Sequence, residues 1–179
     1  GLVDEQKLGR FNLALRVWSF LAMLADGFDI AALASAAPAL SRAWGVAPHD
    51  FGPALSASLF GILIGAPLLG FLGDRYGRRI AVIAGLVIFG LGTFVTIWAT
   101  NTTELAVLRF LTGIGIGGLM PNLIALNAEL QPKRWRATLV VLMFTGITFG
   151  SGIPGAVQAA LIPEYGWRVM FLIGGVGPV

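Results

Sequence analysis

Five apolar stretches constrain this chain more than anything else in it: Leu13–Ala37, Phe51–Leu72, Ile80–Ala99, Leu105–Asn127 and Ala137–Leu161. A helix rising ~1.5 Å per residue needs about 20 mostly apolar residues to cross a ~30 Å hydrocarbon core, and all five meet that length. They are too long, and too rich in Ala, Leu and Gly without alternating polarity, to be the ~10-residue strands of a membrane barrel. Short connections separate them: Pro38–Asp50, Gly73–Arg79, Thr100–Glu104, Ala128–Arg136 and Ile162–Trp167. A further apolar stretch opens at Arg168 and reaches only Val179, too short to span. The expected architecture is an all-α integral membrane protein. A cytoplasmic segment, 1–12, precedes a transmembrane bundle over 13–179, with a partial sixth helix at 168–179. Because the first residue is Gly1 rather than Met, the expectation is a fragment cut within its sixth helix. Composition agrees with a bilayer: 56% of residues are hydrophobic and 12% charged, about half the ~25% charged of a soluble domain.

Orientation follows from the basic residues in short loops, which favour the cytoplasmic side. Lys7, Arg10, Arg16, Arg75, Arg78, Arg79, Lys133, Arg134 and Arg136 fall on one side. Arg42 and Arg168 fall on the other, and Arg109 lies inside the fourth span. This bias places the N-terminus in the cytoplasm, in a cell membrane of the bacterial inner-membrane type. A net charge of +3 is too small to suggest nucleic acid as a partner. With no Cys, disulfide frameworks, thiolate metal sites and cysteine nucleophiles are excluded. The lone histidine, His49, sits beside Asp50 in an outer loop, so neither a zinc site nor a Ser-His-Asp arrangement is available. No enzyme, metal or cofactor is expected.

Three ionisable residues fall well within spans: Asp26, Asp29 and Arg109. Each costs about 2.5–3.5 kcal/mol at a helix centre on insertion scales, which makes such residues functional candidates. Asp26 and Asp29 are three apart, about 60° around a helix, and so share a face that must look into the bundle or a wet cavity. Counting from Leu13, Asp29 lies about 24 Å from the cytoplasmic edge. The fourth span runs the opposite way and puts Arg109 roughly 6 Å inside the outer edge, so the two levels nearly coincide in a ~30 Å core. Asp29 and Arg109 therefore meet if the first and fourth helices are neighbours. Burial disfavours a charged carboxylate and a nearby Arg favours it. An aspartate paired with Arg109 stays ionised, and one without a cationic partner carries a proton; the sequence does not say which is which. A buried ion pair that merely fixes packing is the bland alternative, although packing needs no second carboxylate. An intramembrane aspartyl protease is disfavoured, because its dyad needs two facing carboxyls and these lie at different heights on one helix.

The run Gly113-Ile114-Gly115-Ile116-Gly117-Gly118 superficially resembles a dinucleotide fingerprint, but that reading needs a preceding strand. Inside an apolar helix, Gly113, Gly115 and Gly117 are better read as small residues that let helices approach closely. Gly61 and Gly65, and Gly146 and Gly150, repeat the four-residue spacing. The stretch Gly150-Ser151-Gly152-Ile153-Pro154-Gly155 is expected to weaken or bend the fifth helix, as a hinge or a static kink. Tyr76-Gly77-Arg78-Arg79 and Tyr165-Gly166-Trp167-Arg168 each precede the third helix of a three-helix set, on opposite membrane faces, as an inverted repeat would leave them.

The loop Gly70-Phe71-Leu72-Gly73-Asp74-Arg75-Tyr76-Gly77-Arg78-Arg79 resembles the signature loop of the major facilitator superfamily. Arg109-Phe110-Leu111-Thr112-Gly113-Ile114-Gly115-Ile116-Gly117 is similar to that superfamily's second motif. Asp26-Gly27-Phe28-Asp29 resembles the first-helix motif of the aromatic acid:proton symporter family. The resemblance covers the whole chain and implies the N-terminal six-helix half of a twelve-helix transporter, with the C-terminal half missing. It implies proton-coupled uptake of a benzoate-like carboxylate by alternating access. Protons serve as the coupling ion, and lipid, the substrate anion and the missing half are the partners. Carried over by motif, Asp26, Asp29 and Arg109 serve proton coupling and substrate transport. Gly70, Gly73, Asp74, Arg75, Gly77, Arg78 and Arg79 form a gating loop that contacts the other half. The fifth-helix antiporter motif has Gly before Pro, whereas here Ile153 precedes Pro154, a departure that favours symport. A transporter of sugars, other organic acids or drugs, and a non-transporting sensor of the same build, stay open.

Overall fold

The computed structural model of the chain describes residues 10–130 and 133–177. Lys7, most of the segment expected at 1–12, and the last two residues of the partial helix expected at 168–179 lie outside the described residues. The elements are helix α1 (Arg10–Trp44), a 3₁₀ turn at Pro48–Phe51, α2 (Gly52–Tyr76), α3 (Arg78–Val95), a 3₁₀ turn at Thr96–Trp98 and α4 (Thr102–Leu130). A 3₁₀ turn at Lys133–Trp135, α5 (Arg136–Ala160), α6 (Ile162–Tyr165) and α7 (Arg168–Val176) complete the chain. Among the described residues, five helices are long and apolar enough to cross a membrane.

Two boundaries depart most instructively from the sequence reading, while α4 also extends about one turn beyond its expected span at each end and a short helix occupies part of the connection expected at Ile162–Trp167. α1 does not stop at Pro38 but runs through it to Trp44. The proline removes one backbone donor, yet Leu33, Ala36 and Leu40 around it are buried in an apolar cluster that holds the helix on course. The stop comes at Gly45, whose φ of 66° suits a residue without Cβ. The connection expected at Gly73–Arg79 shrinks to one residue. α2 continues to Tyr76, Gly77 turns the chain at φ 103°, and α3 starts at Arg78. Gly166 does the same between α6 and α7 at φ 74°, so the two matching tetrads share a local geometry.

Glycines decide which helices pair. A Cβ added at Gly61, Gly65, Gly113 or Gly117 would strike backbone across the α2–α4 contact. Gly115, half a turn around, faces α3 instead, where an added Cβ would lie 2.6 Å from the Gly85 carbonyl oxygen and the Phe89 nitrogen. The glycines of the α4 run thus serve two different neighbours, Gly118 facing Leu69 of α2 as Gly113 and Gly117 face the α2 backbone. α1 packs along α5 in the same manner: a Cβ at Gly27 would meet Ile147 backbone, and one at Gly150 would meet Leu24 backbone. α5 remains helical through Pro154, which is buried, while Gly152 and Gly155 face open space. The result is two close-packed parallel pairs, α1–α5 and α2–α4, with α3 lying antiparallel against α4 and α7 against α3. α1 and α4 touch along little of their length, so the seam between the pairs is left for long polar side chains to cross.

Candidate functional site

The seam is crossed at the level the sequence anticipates. Arg109 Nη1 donates to both carboxylate oxygens of Asp29, at 2.9 and 2.8 Å. Thr93, from α3, donates its hydroxyl to Asp29 Oδ1 at 3.1 Å and accepts from Arg109 Nη2 at 3.5 Å. Asp29 is 3% and Arg109 1% exposed, so this charge pair is removed from solvent. Phe171, on α7, places its ring centroid 5.4 Å from the Arg109 guanidinium carbon. A charge pair in so dry a place persists only when its geometry is good and its remaining polar atoms are satisfied. Two further elements, α3 and α7, converge on the pair, and Arg109 Nε alone of its guanidinium nitrogens has no acceptor.

The four residues Asp26-Gly27-Phe28-Asp29 serve three directions. Gly27 lies against α5 and Phe28 against Gly174 of α7, while both aspartates turn into the bundle. Asp26, one turn towards the basic end, is 5% exposed, and its Oδ1 is buried with no hydrogen-bond partner. The two acids therefore differ in kind. One is fixed by an arginine and a hydroxyl, and the other holds an oxygen that nothing in the bundle satisfies. Buried polar atoms are paired in the great majority of cases, so such an exception asks for an explanation.

The second cluster sits at the α2–α3 turn. Asp74 and Arg78, four residues apart, form an ion pair across Gly77. Arg78 also approaches Glu129 of α4 at 3.8 Å and donates to Asn122 Oδ1 at 3.3 Å. Asn122 is wholly buried and donates to the carbonyls of Leu69, at 3.1 Å, and Gly118, at 2.7 Å. Gly73 lies under this amide, where a side chain would collide with it. Arg75 is exposed and stacks on Tyr76 at 5.6 Å, and Arg79 and Gly77 are exposed. Gly70 faces open space and takes no part in the cluster. Arg16 stacks on Trp135 at 4.7 Å, which ties the start of α1 to the α4–α5 connection. At the opposite end Trp44 and Trp167 pack at 5.6 Å, beside Arg42 and Arg168.

Several residues of these clusters carried no motif in the sequence: Thr93, Asn122, Asn127, Ser19, Glu129 and Phe171. Asn127 donates to Ser19 at 2.9 Å and makes a second crossing of the α1–α4 seam nearer the basic end. An amide inside an apolar run was the available signal for Asn122 and Asn127; Thr93 and Phe171 gave none. An apolar cavity of about 410 Å³ lies between α1, α3 and α4, with Trp18, Val82, Leu86 and Leu123 in its wall and Arg79 at its rim. None of Asp26, Asp29 and Arg109 lines it.

Known proteins share both sequence and architecture. The 4-hydroxybenzoate transporter PcaK of Acinetobacter baylyi is 40% identical over 178 residues, 99% of this chain and 39% of that protein. The gallate transporter of Pseudomonas putida is 40% identical over 177 residues, with the same two coverages. The benzoate transport protein of Acinetobacter baylyi is 34% identical over 180 residues, 98% of this chain and 39% of that protein. The chain thus spans about two fifths of the length of the curated relatives it matches. Among solved structures, the xylose transporter XylE from E. coli, in a partially occluded inward-open conformation, superposes with a TM-score of 0.80 at 22% identity. That match covers 94% of this chain and 47% of XylE, a likeness of fold. These relatives are transporters and not enzymes. The sequence profile of the Major Facilitator Superfamily matches residues 19–178, and the chain belongs to that superfamily.

Proposed function

We propose that this chain forms the N-terminal wall of a secondary transporter that takes up an aromatic carboxylate together with protons. The carrying observation is the inequality of the two intramembrane aspartates. Asp29 is bound by Arg109 and Thr93, whereas Asp26 keeps a buried oxygen without a partner. In this reading Asp26 loads and releases the proton, and the Asp29–Arg109 pair senses that change and passes it to the helix pairs on either side. A proton on Asp26 removes a charge three residues from Asp29 and so alters the balance of the ion pair across the seam. Such a two-state element is what alternating access requires.

Substrate class comes from the relatives, which carry 4-hydroxybenzoate, gallate and benzoate by name. A site between two six-helix halves needs a second wall, so the full-length gene product is the transporting species. The loop Asp74-Arg75-Tyr76-Gly77-Arg78-Arg79 serves as the gate, its ion pair exchanging partners with the opposite half between states. The basic end faces the cytoplasm of a cell membrane, in keeping with the excess of Arg there.

The test is uptake of radiolabelled 4-hydroxybenzoate by the full-length gene product in proteoliposomes, with and without an imposed pH gradient. Asp26→Asn is expected to abolish gradient-driven accumulation while leaving membrane insertion intact. Accumulation by Asp26→Asn at the wild-type level would refute the assignment, and ligand binding without flux in the unaltered protein would identify a sensor instead.

A further inference from the structure

Arg109 has more neighbours than its motif accounts for. Its Nη1 is taken by Asp29 and its Nη2 by Thr93, while the buried Nε has no hydrogen-bond acceptor. What remains beside the guanidinium is the ring of Phe171, 5.4 Å from centroid to Cζ. The face of an aromatic ring carries negative potential and attracts a cation within about 6 Å, more strongly where water is excluded. Water is excluded here, since Phe171 is 0% and Arg109 1% exposed. The ring is itself packed against a pair of tryptophans. Trp167 packs edge-on against it at 5.9 Å, and Trp44 packs on Trp167 at 5.6 Å.

The guanidinium has a competing destination. Asp26 lies on the same face of α1, ~4.5 Å further along the axis, with one oxygen unpartnered. The charged side chains in this core are Asp26 and Asp29 from α1 and Arg109 from α4. α3 brings the uncharged Thr93, and the charged residues of α3, α5 and α7 (Arg78, Arg79, Arg136 and Arg168) sit at the first turns of their helices. Nothing else in the core can neutralise Asp26, so where Arg109 rests decides whether Asp26 has a cationic partner.

We propose that Phe171 is a positioning residue whose ring face keeps Arg109 committed to Asp29, and so leaves Asp26 free to exchange a proton. The proposal rests on the proton-coupled reading above. It assigns a coupling role to the beginning of α7, an element that contributes no ionisable group to the core. Volume alone does not fulfil this role; the ring's electron density does.

Ring fluorination separates the two, because successive fluorines weaken the negative face while nearly preserving shape. The full-length gene product carries phenylalanine with no, one, two or three ring fluorines at position 171, alongside Phe171→Leu. The readout is the external pH at half-maximal gradient-driven uptake of 4-hydroxybenzoate in proteoliposomes. The expected result is a stepwise move of that midpoint towards acid, by about half a pH unit or more over the series, because a guanidinium shared with Asp26 makes it a poorer proton acceptor. Phe171→Tyr, which keeps an electron-rich face, is expected to hold the unaltered midpoint. A midpoint unmoved by fluorination, or moved towards alkali, overturns the proposal even if Phe171→Leu is impaired, since that loss is then one of packing. Uptake that ignores the pH gradient in the unaltered protein is a different failure. It removes the coupling reading itself, and the role of Phe171 with it.

Discussion

The ion pair in the core and the ion pair at the α2–α3 turn join the same two side-chain types, aspartate and arginine, in opposite surroundings. The Asp29 and Arg109 side chains are each 2% exposed, whereas Asp74 is 66% and Arg78 25% exposed. Charges that leave water lose several kcal/mol of hydration each, and only close partners restore it. The core pair therefore recruits Thr93 and Phe171 from two further helices, and its partners are fixed. The turn pair keeps its water, costs little to open, and shares Arg78 between Asp74, Glu129 and Asn122. The contrast suits two tasks. Under the function proposed above, a site that registers a proton needs few, exclusive contacts, and a latch that forms and releases needs several exchangeable ones.

Breaking the core pair is expected to have the largest effect. Arg109→Met leaves the Asp29 carboxylate buried without its partner, at a cost of about 3–5 kcal/mol, read as a drop in thermal unfolding temperature in detergent. Pairing it with Asp29→Leu is expected to recover much of that loss. A single variant as stable as the unaltered protein would mean the core pair is no dry site at all. Next comes the frame that fixes the seam. Gly117→Val drives a side chain into the Ile62 backbone and is expected to cost about 1–3 kcal/mol by overpacking α2 against α4. A neutral result in the same unfolding assay would deny the close approach.

The comparison sharpens at Asn122, the buried link between the turn and the bundle. Asn122→Leu removes its bonds to Leu69, Gly118 and Arg78, with an expected loss of about 1–2 kcal/mol. The smallest expected effect is Asp74→Asn, below about 1 kcal/mol as for other exposed pairs. It should vanish in ~1 M salt, where the screening length falls to about 3 Å. An Asp74 effect as large and as salt-insensitive as that of Arg109 would erase the distinction between the two regions.

Much of the site was legible before any fold was in hand, and the reasons differ residue by residue. Asp26, Asp29 and Arg109 stand out because a charge inside an apolar run has no cheap explanation, and counting helical rise put Asp29 and Arg109 at one level. The glycines announced close packing, but not that Gly113 and Gly117 face α2 while Gly115 faces α3. Pro38 looked like a stop, because its local cost is visible in the sequence and the buried cluster that offsets it is not. Thr93 and Phe171 were invisible, being ordinary residues of apolar helices until they are set beside Arg109.

Sequence alone determined the solvent this chain folds in, the number of its long apolar helices, and the three charges that the membrane must tolerate. These follow from local quantities: run length, rise per residue and the cost of burying charge. Only the tertiary structure decided that Asp29 takes the arginine and Asp26 is left over. The two carboxyls are chemically identical and three residues apart, and what separates them is the side chains that reach each level. Thr93 of α3 and Arg109 of α4 meet Asp29, with Phe171 of α7 beside the arginine, while Asp26 Oδ1 receives no hydrogen bond.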